Sequence, residues 1–237
     1  ATTQTPEGVT TLMGTPGRQE VSFNEDWKFQ KGDVAGGEGT GLDDSAWRTV
    51  TLPHDFSIEQ DFENSGNFAN VGFLPGGVGW YRKTFTLPPE MAGKRISISF
   101  GGVYMDSNTY VNGKLVGNYP YGYSPFAYDI TDYVVADGVT ENVIAVRVDN
   151  PIPSSRWYSG TGIYRDVELI VTEPIHVARY GTYVTTPDLE TQYAKGQAQV
   201  QVETTVENDG SQTAEAVVSS TIYDANGEVF AETVSTQ

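Results

Sequence analysis

No cysteine occurs in the 237 residues, so no disulfide framework can brace the fold and no thiolate can hold a metal. Histidine is nearly as scarce. Only His54 and His176 can offer an imidazole, and zinc catalysis, which draws on clustered nitrogen, sulfur and oxygen ligands, is not expected; nor is any other metal or cofactor. Basic residues are few as well: 14 Lys and Arg against 31 Asp and Glu give a formal charge of −17 at pH 7. That balance repels phosphate backbones and anionic headgroups, with no cluster of Lys or Arg as a local exception, so neither nucleic acid nor a membrane surface is an expected partner. No apolar run approaches the roughly 20 residues a spanning helix needs. The glycine-rich run 72–79 is not followed by a helix opening with Lys-Ser or Lys-Thr, which excludes a phosphate loop and leaves a site-lining loop or a simple bend.

What is abundant is aromatic side chains and chain-turning residues: 14 Tyr, 10 Phe, 26 Gly and 12 Pro. Together they favour many short strands over helices, so the expected class is all-β. Residues 1–20 lack the charged-then-apolar order of a signal peptide and read as a flexible leader, the kind left after export of a bacterial extracellular or cell-surface protein; a cytoplasmic protein with a loose end is the alternative. From residue 21 the pattern predicts strands over 21–29, 49–52, 79–86, 95–100, 106–111, 114–119, 126–129, 142–149 and 165–171. Spacing of about ten residues with turn signals between them fits a jelly-roll sandwich over 21–173. Asn112-Gly113 is the strongest hairpin signal, since both residues tolerate positive φ. Single helical turns are expected only at 88–92, 129–133 and around 43–47, the last with Trp47 packed inward.

At Glu173-Pro174 the character changes: strands at 184–186, 198–206, 216–223 and 228–234 alternate cleanly with little aromatic content, joined by hairpins at Asn208-Asp209-Gly210 and 224–227. Residues 174–237 thus read as an immunoglobulin-like sandwich, which needs about seven strands and ~100 residues. With only four strands by Gln237, it is expected to be partial and completed by residues beyond. Asp224-x-Asn226-Gly227 lacks the further acids of a calcium loop and reads as a turn.

The segment Arg156-Trp157-Tyr158-Ser159-Gly160-Thr161-Gly162-Ile163-Tyr164-Arg165 places a cation, aromatics and glycines between two predicted strands. Ring faces that cover C–H patches and donors that hold hydroxyls are the usual chemistry of a sugar site on a loop. Taken with Thr51-Leu52-Pro53-His54-Asp55-Phe56, Gly79-Trp80-Tyr81-Arg82-Lys83-Thr84-Phe85, and Phe100-Gly101-Gly102-Val103-Tyr104-Met105-Asp106 with Val111-Asn112-Gly113-Lys114, it closely resembles the N-terminal region of family 2 glycoside hydrolases over residues 21–171. The insert Leu74-Pro75-Gly76-Gly77-Val78 is most similar to the β-galactosidases of that family, rather than its glucuronidases or mannosidases. The resemblance implies a jelly-roll sugar-binding domain, an immunoglobulin-like sandwich and a (β/α)₈ barrel bearing two catalytic glutamates. Retaining hydrolysis needs two carboxyls about 5 Å apart. This chain has neither of the family's glutamate motifs and is expected to be inactive alone, with the barrel-bearing remainder of the enzyme and a β-galactoside as partners.

Arg156 resembles the family position that reaches over the barrel mouth and is expected to hold a sugar hydroxyl or a barrel carboxylate; the alternative is a structural arginine stacked on a ring. Trp157 and Tyr158 are candidate sugar contacts, or anchors that bury area beneath the loop. Asp55 suits a hydroxyl acceptor, with His54 to orient it, although Asp after a strand-ending proline is also a common turn cap. Asp106 and Asn108 receive no catalytic role. Two rival functions stay open: a self-sufficient carbohydrate-binding module or adhesin, and a purely structural brace.

Overall fold

The computed structural model describes residues 2–4, 10–12, 17–64, 68–152 and 157–236. It divides into two units, 1–171 and 172–237. The first contains strands β1 (Thr2–Gln4), β2 (Thr10–Leu12), β3 (Gln19–Ser22), β4 (Trp27–Lys31), β5 (Arg48–Val50), β6 (Gly77–Thr86), β7 (Arg95–Phe100), β8 (Ser107–Val111), β9 (Lys114–Tyr119), β10 (Phe126–Asp129), β11 (Asn142–Asn150) and β12 (Val167–Thr172). The fold is all-β. One sheet has eight strands, in the order β1-β2-β6-β11-β8-β9 with β4 joined to β6 and β5 to β4, and the other four, β10-β7-β12-β3. Neighbours such as β6 and β11 or β12 and β3 lie far apart in sequence, as expected of a jelly roll.

Apolar side chains from both sheets meet in one cluster, among them Trp27, Tyr81, Phe85 and Val146 from one side and Phe23, Ile98, Phe100, Leu169 and Val171 from the other. Three refinements to the sequence expectation follow from packing. Residues 21–29 are two strands rather than one, because Asp26 adopts φ +57° and turns the chain between β3 and β4. Within 1–20, for which only a leader is expected, β1 pairs with β2 and β2 pairs parallel to β6. Finally, β11 is not half-buried: Val143, Ile144, Ala145, Val146 and Val148 are all buried, on both faces. The second face is covered by the loop between β4 and β5. From that loop Asp44 accepts Arg82 Nε at 2.9 Å, the Gly37 carbonyl accepts Arg82 Nη1 at 2.5 Å, and Asp33 accepts Trp80 Nε1 at 3.0 Å.

The helical turns at 88–92 and 129–133 are single 3₁₀ turns, Pro89–Met91 and Thr131–Tyr133. At 43–47, Ser45 N donates to Asp43 Oδ1 and Trp47 N to the Asp44 carbonyl, closing the expected turn. Asn112 (φ +48°) and Gly113 (φ +78°) form the β8–β9 hairpin, with Val111 opposite Lys114.

The second unit contains β13 (Ile175–Thr185), α1 (Leu189–Tyr193), β14 (Gln201–Asn208), β15 (Val217–Tyr223) and β16 (Val229–Thr236). It forms two antiparallel pairs, β13 with β14 and β15 with β16. The turn at 224–227 closes the β15–β16 hairpin, with Asp224 Oδ1 accepting the amides of Asn226 and Glu228, which is a turn and not a calcium loop. Asn208-Asp209-Gly210 differs from expectation. Gly210 N donates to Asn208 Oδ1, but the strands on either side pair with other partners, so the turn closes no hairpin.

Candidate functional site

Two long connections meet at one end of the large sheet, where Asn150, the last residue of β11, lies opposite Gly77, the first of β6. The β5–β6 connection carries His54 and Asp55; the β11–β12 connection carries Trp157, Tyr158 and the glycines. They zip together as irregular strands: His54 N donates to Ile163 O at 2.8 Å and Phe56 N to Thr161 O at 2.9 Å, while Gly162 and Tyr104 exchange both backbone bonds at 2.9 Å. Segment 161–163 is therefore held on both edges and buried. Gly162 has φ +135°, and a Cβ there would lie 2.4 Å from Tyr81 Oη and 2.5 Å from His54 O. Only glycine allows so close an approach.

Asp55 is the centre of this junction. Its Oδ1 accepts Ser57 N and Thr161 N, both at 2.9 Å, and its Oδ2 accepts the Tyr158 hydroxyl. Around it, Ser57 Oγ donates to Thr161 Oγ1 at 2.7 Å, and Asn150 Nδ2 donates to Thr161 Oγ1 at 2.7 Å and Gly160 O at 3.2 Å. Burial first, and then the Asp55 carboxylate, push the Tyr158 phenol well above its ordinary pKa. It stays a neutral donor. Asn150 Oδ1 and Ser159 Oγ are buried without a hydrogen-bond partner among the described residues. Gly72 and Gly76 of the glycine-rich run abut Tyr158 and the Asn150 amide respectively, so that run lines the junction rather than merely bending.

His54 and Asp55 are adjacent in sequence but serve different surroundings. The His54 ring packs 4.7 Å from Phe29, with Nδ1 2.7 Å from Tyr81 Oη and Nε2 3.2 Å from both Glu59 Oε1 and Arg48 Nη2. Arg48 in turn donates to Glu59 at 2.5 Å. Burial lowers the His54 pKa, against the pull of Glu59, so the imidazole resists protonation. On the outer side of this network Phe29, Phe56, Lys31, Arg48, Glu59 and Gln60 line an open groove.

Of the sequence-predicted site residues, Asp55 and Tyr158 are thus in direct contact. Trp157 is 73 % exposed beside them, and His54 sits behind Asp55 with its ring bonded elsewhere. Arg156 lies outside the described residues. Sequence reasoning missed Ser57, Thr161, Asn150 and Glu59, whose polar types are common in loops and acquire a role only through tertiary contacts, those between the 55–57 segment and Thr161 spanning about a hundred residues. In the second unit, His176, Glu207 and Asp209 hold donor atoms within 4.8 Å of one another, with His176 Nε2 3.4 Å from Glu207. Both carboxylates are exposed, and the set reads as a surface ion-pair cluster.

The chain's residues 42–174 match the family model described as "Glycosyl hydrolases family 2, sugar binding domain". It is 46% identical over 220 residues to a β-galactosidase of Bacteroides ovatus, covering 92% of this chain and 25% of that protein. It is 29% identical over 245 residues to a β-glucuronidase of Formosa agariphila, covering 94% of this chain and 24% of that one. Among solved structures, a glycosyl hydrolase family 2 member from Bacteroides cellulosilyticus superposes with a TM-score of 0.81 at 41% identity, over 92% of this chain and 29% of the other. A family 2 β-glucuronidase superposes at 0.82 with 27% identity, over 95% of this chain and 25% of that one. The chain spans about a quarter of the length of these relatives.

Proposed function

The chain belongs to glycosyl hydrolase family 2, and from that premise we propose that it is the non-catalytic, sugar-side portion of a retaining exo-β-galactosidase. On this reading it packs against a (β/α)₈ barrel that supplies both catalytic carboxylates, and lends loop residues that narrow the sugar pocket. The observation that carries the reading is the Asp55 junction: a carboxylate fixed by two backbone amides and a phenol, beside an exposed indole. Such a rigid, water-accessible rim can hold a non-reducing sugar so that its binding energy is expressed at the transition state. Asp55 and Trp157 would touch the sugar; Tyr158 would position Asp55. Residues 174–237 would begin an immunoglobulin-like sandwich completed by further chain, and export from a bacterial cell suits the acidic, cysteine-free composition.

The test uses the enzyme that carries this chain. Turnover of p-nitrophenyl β-galactoside should far exceed that of the β-glucuronide, and Asp55→Asn should lower kcat/KM roughly tenfold while circular dichroism stays native. Native kinetics in a folded Asp55→Asn enzyme would leave only the structural brace. The 46% identity to a β-galactosidase favours galactose. A second reading, β-glucuronidase, draws on the 29% identical relative of that name, and a reversed substrate preference would install it. Enzyme-like turnover by the 237-residue chain alone, free of contaminating hydrolase, would overturn both.

A further inference from the structure

The loop between β9 and β10, residues 120–125, is held at several points. The Tyr164 hydroxyl donates to Gly122 O at 2.7 Å, and Tyr119 Oη lies 2.6 Å from Ser124 Oγ. Pro120 and Pro125 fix φ at both ends. Gly122 is buried, and a Cβ on it would sit 2.2 Å from Tyr104 Cδ2, so the Tyr104 ring slides directly beneath the loop. This bracing presents two large rings to solvent: Tyr121 is 55% exposed and Tyr123 41%. Their centroids are 5.7 Å apart, and buried Tyr104 supports Tyr123 edge-on at 5.2 Å. Alongside, exposed Asp106 accepts Asn118 Nδ2 at 2.9 Å, and its own amide donates to Pro120 O.

Adjacent exposed rings rimmed by polar groups are the composition of a ligand-contacting patch. Ring faces suit the C–H patches of a pyranose, a carboxylate and an amide suit its hydroxyls, and the net charge of −17 disfavours an anionic ligand. The same backbone also serves Asp55: Tyr104 is bridged to Gly162, whose neighbour Thr161 donates to that carboxylate. We propose that Tyr121 and Tyr123, with Asp106 and Asn118 beside them, form a contact surface for a neutral saccharide residue, so that the substrate class is an oligosaccharide and not a single sugar ring. This rests on the carbohydrate reading given above but not on the choice of galactose.

The test titrates the 237-residue chain, by NMR, with methyl β-galactoside, galactotriose and cellotriose. At least one triose should shift the amides of residues 119–124, while the monosaccharide leaves them unmoved. Tyr121→Ala and Tyr123→Ala should each weaken triose binding roughly tenfold, and Tyr121→Phe, which keeps the ring, should retain it. The rings are exposed, so an unchanged thermal midpoint will show that the variants fold. Equal triose affinity in a folded Tyr121→Ala/Tyr123→Ala double variant overturns the proposal, as does absence of triose binding at about 10 mM, a concentration well above weak-site affinities. So does finding both rings shielded from iodination in the sugar-free enzyme, since the remainder of the protein would then cover them. The galactose reading stands or falls separately, on the kinetics of the enzyme.

Discussion

At the scale of single residues, Asp55 and Gly162 show how the junction is specified. Asp55 satisfies two amides and a hydroxyl on two segments, and Thr161, whose amide it accepts, is fully buried. Removing the carboxylate strands that amide in a dry site, which costs about 1–3 kcal/mol, whereas losing one phenolic donor costs about 1 kcal/mol. Asp55→Ala should therefore lower the urea-unfolding free energy more than Tyr158→Phe does; equal losses would show that the two backbone bonds carry no weight. Gly162 faces a different constraint. An alanine there would adopt φ +135° against Tyr81 Oη and the rigid His54 carbonyl, and strain plus overpacking should destabilise the fold by roughly 3 kcal/mol or more. Thermal denaturation of Gly162→Ala checks this, and a midpoint equal to that of the parent chain would refute the tight approach.

At the scale of elements, the Asn112-Gly113 hairpin ties three strands through one side chain. Asn112 Nδ2 donates to Tyr133 O and Asn142 Oδ1, and its Oδ1 accepts Val143 N at 2.8 Å. Asn112→Gly keeps the left-handed turn but loses those bonds, while Asn112→Ala loses both. The alanine variant should be less stable by about 1 kcal/mol, the cost of the left-handed backbone for a residue with Cβ; chemical denaturation of the pair measures it, and the reverse order would rule the account out. This hairpin was legible in the sequence because two adjacent residues with a local backbone preference decide it. So were β7, β9 and β10, whose short alternating runs end at turn residues. The split between β3 and β4 was not legible, since it depends on one aspartate taking positive φ. Nor was the full burial of β11, because the cover comes from the distant loop that Arg82 and Trp80 anchor. The site divides the same way: Asp55 and Tyr158 are visible as motif members, but Ser57, Asn150 and Thr161 gain meaning only when the two connections pair.

At the scale of the whole molecule, these groups set a stability profile that leans to high pH. The carboxyl of Asp33 is held at about 2 by Arg147 and Trp80, so its contribution is present above the ordinary carboxylate value and is lost as pH falls toward 2. Buried His54 also resists protonation; below pH 6.5 the unfolded chain takes up a proton that the folded one refuses, and stability falls with decreasing pH. Lys83 acts in the alkaline range. It is 1% exposed, donates to Glu25 O and lies 4.7 Å from the Phe23 ring, and burial lowers its pKa from 10.5 to about 8. Between pH 8 and 10.5 the unfolded lysine holds a proton that the folded one has released, so stability rises with pH across that window, by roughly 3 kcal/mol. Burial raises the Tyr128 phenol to about 12 and holds the Tyr81 phenol well above its ordinary value. Above pH 10 the unfolded tyrosines ionise first, and stability turns down. Urea unfolding of the chain at pH 7, 8, 9 and 10 should therefore show midpoints climbing over the last three values, and Lys83→Met should flatten that climb while leaving the acid limb in place. A Lys83→Met chain that climbs as steeply as its parent would place the alkaline gain elsewhere and leave Lys83 charged in the core.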